Sequence, residues 1–355
     1  MKILSLFDGM ACWYEALVRA WIPIDKYYAS EIDKYAIQIA KKNHPSIDEI
    51  WDVQDIFYED WLLKKYMSES RKTNIWVIDT WPIDLLIWGS PCQWFSVAGK
   101  WLNFEDPRSK LFFEYVRLLN EVKPKYFLLE NVKMKKEWQD IISWYLWVQP
   151  IEINSSKVSA QNRRRLYRTN IPWVIQPQDK WILLKDILQD HVDEKYYYSA
   201  ERWNAIISNP HNHDFLKRTE NVEWKCNTLT SVTWGNQEKK IDLVQLRGGG
   251  KLLVRQATKQ GYAIAHDGDW ISLAYPNSTT RRWRVQYWKS DTLTTQWESH
   301  VFKDKQIRKL TPIECERLQT LPDNYTAWVS DTQRYKMLWN WWTVDVIAHI
   351  FRFIT

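Results

Sequence analysis

The residues most able to do chemistry in this chain stand at the ends of short apolar segments. Gly89-Ser90-Pro91-Cys92-Gln93 directly follows the apolar run Ile83 to Ile87. Glu130-Asn131-Val132 closes the next apolar run, and Gln161-Asn162-Arg163-Arg164-Arg165 precedes another. A thiol at such a place is a candidate nucleophile, and a carboxyl is a candidate proton donor. Planar guanidinium forks suit the orientation of a carboxylate or a flat ligand. Each also has a plain structural reading: Cys92 as a small buried hydrophobe, the arginines as a solvated basic turn. Two further acids, Glu31 and Asp52, stand where strands are expected to end, and the plain reading there is an ordinary loop acid.

These groups need a scaffold that gathers strand ends. Residues 2 to 7 are apolar up to Asp8-Gly9, and residues 13 to 20 can form a helix, which together give a strand, a tight loop and a helix. Strands are expected at Tyr27 to Ser30, Ile83 to Ile87, Tyr126 to Leu129 and Leu166 to Asn170. Helices are expected at Asp33 to Asn43, Ser109 to Glu121 and Glu137 to Leu146. This alternation predicts an α/β fold with a mostly parallel sheet covered by helices on both faces, and ligands at the carboxyl ends of its strands. From about Tyr196 to Lys305 the segments are short, polar and β-branched, which predicts a smaller β-rich domain. Helical periodicity returns at Thr311 to Thr320 and Thr343 to Phe351. The expected division is 1–190, 191–305 and 306–355, the last part returning to the first.

Five motifs in order resemble those of the DNA cytosine-5 methyltransferase family. Pro91-Cys92-Gln93 is similar to its nucleophile motif, Glu130-Asn131-Val132 to its Glu-Asn-Val motif, and Gln161-x-Arg163-x-Arg165 to its Gln-x-Arg-x-Arg motif. Phe7-Asp8-Gly9 resembles its cofactor loop, and Trp339-Asn340-Trp341 its last motif, there Gly-Asn-x. The resemblance implies a Rossmann-like S-adenosylmethionine-dependent fold with a β-rich target-recognition domain. It implies methyl transfer to C5 of a flipped-out cytosine through a covalent Cys92 adduct at C6. Glu130 would protonate the ring edge, and Arg163 and Arg165 would orient Glu130 and the base. The cofactor would be lined by Phe7, Asp8, Gly9, Glu31, Ile32, Asp52, Val53, Pro91, Leu111 and Asn340. Double-stranded DNA is the expected partner, with a cognate restriction endonuclease in a restriction-modification setting.

Composition is consistent with this but leaves a puzzle. Lysine and arginine exceed aspartate and glutamate, giving a net charge of +6 that permits a polyanionic partner without demanding one. Arg281-Arg282-Trp283-Arg284 is the densest basic cluster of the β-rich segment. The four cysteines lie far apart with no Cys-x-x-Cys pair, so their spacing indicates neither a zinc site nor a disulfide framework. No metal is expected. The first apolar stretch is too short for a signal peptide and none approaches a membrane span, so a cytoplasmic monomer is expected.

The puzzle is 9 Gly against 25 Trp, when glycine ordinarily makes up about 7% of a chain. Trp51, Trp88, Trp94, Trp339 and Trp341 stand where the family pattern or turn geometry calls for glycine. A code that reads UGA as glycine, rendered by one that reads it as tryptophan, produces this pattern. The other reading is a tryptophan-rich protein that stacks bases on its indoles. Three rival functions are a tRNA methyltransferase of the same fold, a catalytically dead DNA-binding protein and an NAD oxidoreductase. The first should lack so long a recognition segment, the second should not keep Cys92, Glu130 and Arg163, and the third should carry Gly-x-Gly-x-x-Gly.

Overall fold

Strand β1 (Lys2–Leu6) reads Lys-Ile-Leu-Ser-Leu and is buried from its second residue on, the near-continuous apolar run of a strand covered on both faces. It is an interior strand of the largest sheet among the described residues. The computed structural model describes residues 1–67, 75–79, 82–89, 109–197, 244–247, 251–258, 260–272, 284–293, 299–304 and 306–355. The chain divides into two compact units: Met1–Val158, Arg163–Lys180 and Gln319–Thr355 form one, and Ser159–Asn162 with Trp181–Leu318 the other.

In the first unit β1 is followed by α1 (Cys12–Arg19), β2 (Lys26–Ser30), α2 (Lys34–Asn43) and β3 (Asp48–Glu49). Next come β4 (Ile56–Glu59), β5 (Leu62–Tyr66), β6 (Ile75–Asp79), β7 (Leu85–Gly89), α3 (Ser109–Val122) and β8 (Tyr126–Val132). Then follow α4 (Lys136–Leu146), β9 (Ile151–Asn154) and β10 (Arg164–Thr169). Among the described residues the main sheet has the order β3-β2-β1-β7-β8-β10-β9. Neighbours from β3 to β8 pair in parallel, and β10 is antiparallel to both β8 and β9. The chain steps outward from β1 to β3 and then returns to β7 on the other side of β1. That reversal opens a crevice at the carboxyl ends of β1 and β7, the usual ligand position of an open α/β sheet. Leu4, Leu6, Leu86, Trp88, Phe112, Tyr115 and Leu129 belong to the core beneath it.

The strands and helices expected from the sequence are present within a few residues. The antiparallel sheet β4-β5-β6 and the helix α6 (Asp331–Asn340) were not expected. Helix α7 (Val344–Phe351) buries Val344, Val346, Ile347, Ala348, Ile350 and Phe351. Arg19 of α1 ties to it, donating to Asp345 at 2.8 Å, to Glu15 at 2.9 Å and to the Thr320 carbonyl at 2.5 Å.

The second unit contains β11 (Val244–Arg247), β12 (Lys251–Arg255) and β13 (Tyr262–Ala265) in one antiparallel sheet. A second sheet has β14 (Trp270–Ser272), β15 (Val285–Gln286), β16 (Ser299–Lys303) and β17 (Gln306–Lys309), in the order β15-β14-β16-β17. Helix α5 (Pro312–Leu318) follows, and its Glu314 is buried with Arg308 at 2.7 Å. No helix among the described residues is long and apolar enough to cross a membrane.

Candidate active site

The loop leaving β1 turns sharply, with Phe7, Gly9 and Ala11 all at positive φ. Asp8 is fully buried there and accepts hydrogen bonds from Ser5 Oγ and Tyr27 OH, each at 2.5 Å. Burial pushes its carboxyl up to about 7 against the pull of those two donors. The Asp8 amide donates to the Ser30 carbonyl at 3.1 Å, which fastens the loop to the end of β2. Gly9 donates its amide to Glu31 Oε2 at 2.8 Å, and Glu31 Oε1 accepts from the amides of Ile32 and Asp33, also at 2.8 Å. Burial raises the Glu31 carboxyl, opposed by these three amides. Ile32 is exposed.

The third strand end is drawn to the same place. Ser30 Oγ donates to the Trp51 carbonyl at 2.6 Å, and Asp52 caps the following turn by accepting from the Gln54 amide at 2.9 Å. Val53 is buried in the core below. Thus Phe7, Asp8, Gly9, Glu31, Asp52 and Val53 are gathered at three adjacent strand ends. Leu111 lies in the first turn of α3, packed against the core, and Asn340 is the last residue of α6. Gln319 Nε2 donates to the carbonyls of Leu338 and Trp341, at 2.8 and 3.1 Å, and holds this final turn.

On the other side of the crevice Gly89, the last residue of β7, pairs with Glu130 of β8. Glu130 is buried, and Arg165 Nε lies 3.0 Å from its Oε1. Burial raises the Glu130 carboxyl, while Arg165 and then Arg163 pull it down. Arg163 is 1% exposed and its amide donates to Asn154 Oδ1 at 3.0 Å. A carboxyl that resists ionisation beside a fixed cation can hold and release a proton. Pro91, Cys92 and Trp94 lie outside the described residues, as do Arg281, Arg282 and Trp283. Arg284, the last residue of the basic cluster, is 1% exposed and donates to the Ser272 carbonyl at 3.4 Å.

The tryptophans expected in turns fall into different places. Trp51 is at φ 64, as a glycine position would be. Trp88 instead lies within β7 and stacks on Tyr115 at 5.1 Å, and Trp339 lies within α6, so neither backbone is that of a turn. The Trp341 ring rests on Gly9 so closely that a Cβ there would fall inside it; Trp342 bears on Gly89 in the same way. Sequence reasoning missed Tyr27 and Ser5 as partners of Asp8, and Tyr325, whose OH donates to the Met10 carbonyl at 2.9 Å. Tyr325 is distant in sequence and carries no local signal; Ser5 was legible as the residue three before an acid.

Comparison with known proteins shows the family. The model of the C-5 cytosine-specific DNA methylase family matches residues 1–140 and 152–355. The orphan methyltransferase M.SPRI of Bacillus phage SPR is 27% identical over 441 aligned residues, covering 99% of this chain and 97% of that protein. The type II methyltransferase M1.ScrFI of Lactococcus lactis subsp. cremoris is 30% identical, covering 92% of this chain and 71% of that protein. Among solved structures, the Entamoeba histolytica methyltransferase EhMeth superposes with a TM-score of 0.58 at 16% identity, over 99% of this chain and 97% of its own. The S. pombe Dnmt2 methyltransferase gives 0.55 at 15% identity, over 98% of this chain and 96% of its own. With its α/β sheet, its gathered strand ends and a family match along nearly its whole length, the chain belongs to the C-5 cytosine-specific DNA methylases.

Proposed function

We propose that this enzyme transfers a methyl group from S-adenosylmethionine to C5 of a cytosine flipped out of duplex DNA, through a covalent adduct between Cys92 and C6. The observation that carries the reading is the buried Glu130–Arg165 pair, in register with Gly89, three residues before the cysteine. The Cys92 thiolate adds to C6 and pushes electron density onto the ring. Glu130, whose carboxyl burial pushes toward the protonated form, delivers a proton at N3, and Arg165 holds the carboxyl in place. C5 then takes the methyl group as the sulfonium's S–C bond breaks and a neutral thioether departs; N3 returns its proton to Glu130, water takes the proton from C5, and Cys92 leaves as a thiolate as the C5–C6 double bond re-forms. Arg163 completes the cationic wall beside the base.

S-adenosylmethionine supplies the methyl group. The chain's own groups suit it: Glu31 and Asp52 offer acceptors to hydroxyl and amino groups, and Gly9 presents bare backbone. Phe7, Asp8, Ile32, Val53, Pro91, Leu111 and Asn340 are assigned to the same pocket. Among the described residues, the Trp341 ring, lying on Gly9, conflicts with that use. Target recognition is assigned to the β-rich segment 191–305, catalysis and cofactor binding to 1–190, and 306–355 to C-terminal helices that return to the catalytic domain. Relatives named orphan and type II support either a solitary role or a restriction endonuclease as partner.

The test is transfer of labelled methyl groups to duplex DNA, with transfer RNA as the comparison substrate. Cys92→Ala should abolish transfer and Glu130→Gln should lower kcat by about a hundredfold or more. Activity that survives Cys92→Ala, or that is confined to transfer RNA, refutes the proposal. The parent is assayed both as written and with glycine at position 341.

A further inference from the structure

Half of the non-glycine residues at positive φ among the described residues are tryptophan: Trp21, Trp51, Trp61, Trp147, Trp173, Trp181 and Trp288, all between 56° and 65°. A bulky side chain in the left-handed region is an outlier, because its Cβ crowds the following carbonyl. All seven indoles are half or more exposed, so burial does little to offset the strain of the backbone. We propose that these seven positions, and position 341, are glycine in the working protein, its gene using UGA as a glycine codon.

Three of the seven occupy motifs whose geometry names glycine independently of composition. At the end of α1 the Trp21 amide donates to the Val18 carbonyl and the Ile22 amide to the Leu17 carbonyl, both at 3.1 Å. That pair of bonds is the Schellman motif, in which the residue at position 21 is ordinarily glycine. Trp147 holds the same left-handed place after α4, at φ 57 and ψ 21. Between β4 and β5, Glu59 pairs with Leu62 across Asp60 and Trp61, both at positive φ. A two-residue hairpin with both central residues left-handed is the turn that Asp-Gly forms.

Position 341 rests on the cofactor reading given above. Its ring covers Gly9, the bare point of the loop that would face the ligand. Glycine at 341 uncovers that point and leaves the Glu31 contact in place. Trp270, buried in strand β14, and Trp342, buried with its ring tilted against Trp13 at 4.3 Å, have ordinary reasons to be tryptophan and are expected to be encoded by UGG.

The codons and the protein isolated from cells that carry the gene decide the matter. UGA at 21, 51, 61, 147, 173, 181, 288 and 341, with glycine masses in the corresponding peptides, is the expected result. UGG at the seven left-handed positions, or tryptophan masses there, overturns the proposal whatever the cofactor is. For position 341, labelled S-adenosylmethionine binding is compared between the written chain and Trp341→Gly by equilibrium dialysis. Binding tighter by about tenfold or more is expected; equal binding refutes the idea that the ring blocks the site. Binding by neither chain counts against the cofactor reading itself and leaves the codon result standing.

Discussion

Asp8 is the residue on which the loop after β1 turns, and its ionisation has a measurable cost. Its carboxyl is pushed from 3.8 to about 7 by complete burial, with Ser5 and Tyr27 as donors. The folded chain therefore keeps a proton that the unfolded chain releases, so stability falls as pH rises through that window. Asp8→Asn keeps an acceptor for Ser5 and Tyr27 and removes the titration. Urea midpoints at pH 4.5 and 8, round values chosen at about the two ends of the window, should show a smaller loss for the variant than for the parent. The difference should be at most about 4 kcal/mol, from three pH units at about 1.4 kcal/mol each. Equal losses would mean that Asp8 is ionised when folded. The position of this residue was legible, since Asp8-Gly9 ends an apolar run. Its burial was not, because Tyr27 reaches it from a neighbouring strand.

Among the elements, the parallel strands could be read directly. A strand buried on both faces is an apolar run, and β1, β2, β7 and β8 each are one. The sheet β4-β5-β6 was missed for two physical reasons. Its strands mix lysine and tyrosine among the apolar residues, and its first turn reads Asp60-Trp61, which hides a hairpin signal. Helix α6 was missed because only Arg334, Met337 and Leu338 of its ten residues are buried. The pairing of α1 with α7 depends on Arg19, whose guanidinium joins Glu15, Asp345 and the Thr320 carbonyl. Arg19→Ala leaves Asp345 with Lys180, 2.6 Å away, and takes this donor from Glu15 and the Thr320 carbonyl, and should lower unfolding free energy by about 1–3 kcal/mol. Chemical denaturation measures this, and an unchanged midpoint would mean that apolar packing alone holds α7.

For the whole molecule, the charge balance gives an expectation that no single contact does. With a net charge of +6 and a polyanionic substrate, binding to duplex DNA should weaken steeply with added salt. A plot of log affinity against log salt should be linear with a negative slope of several units, set by the number of phosphates contacted. A flat plot would argue against DNA as the substrate. Arg284 does not contribute to that slope, being buried in its own unit.

The exposed left-handed indoles would also dominate how this molecule emits light. Trp21, Trp147, Trp173 and Trp181 each stand more than three-quarters in solvent, at 90%, 84%, 87% and 77% exposure. Indoles so placed fluoresce at long wavelength and are quenched readily by iodide, whereas Trp270 and Trp342 sit at 4% and 2% exposure and would emit in the blue, shielded from the quencher. The emission spectrum of the natural protein is therefore a census of its surface: tryptophan at these turns gives a large red, quenchable fraction, and glycine there reduces it to what exposed indoles elsewhere, such as Trp76, Trp144 and Trp328, supply.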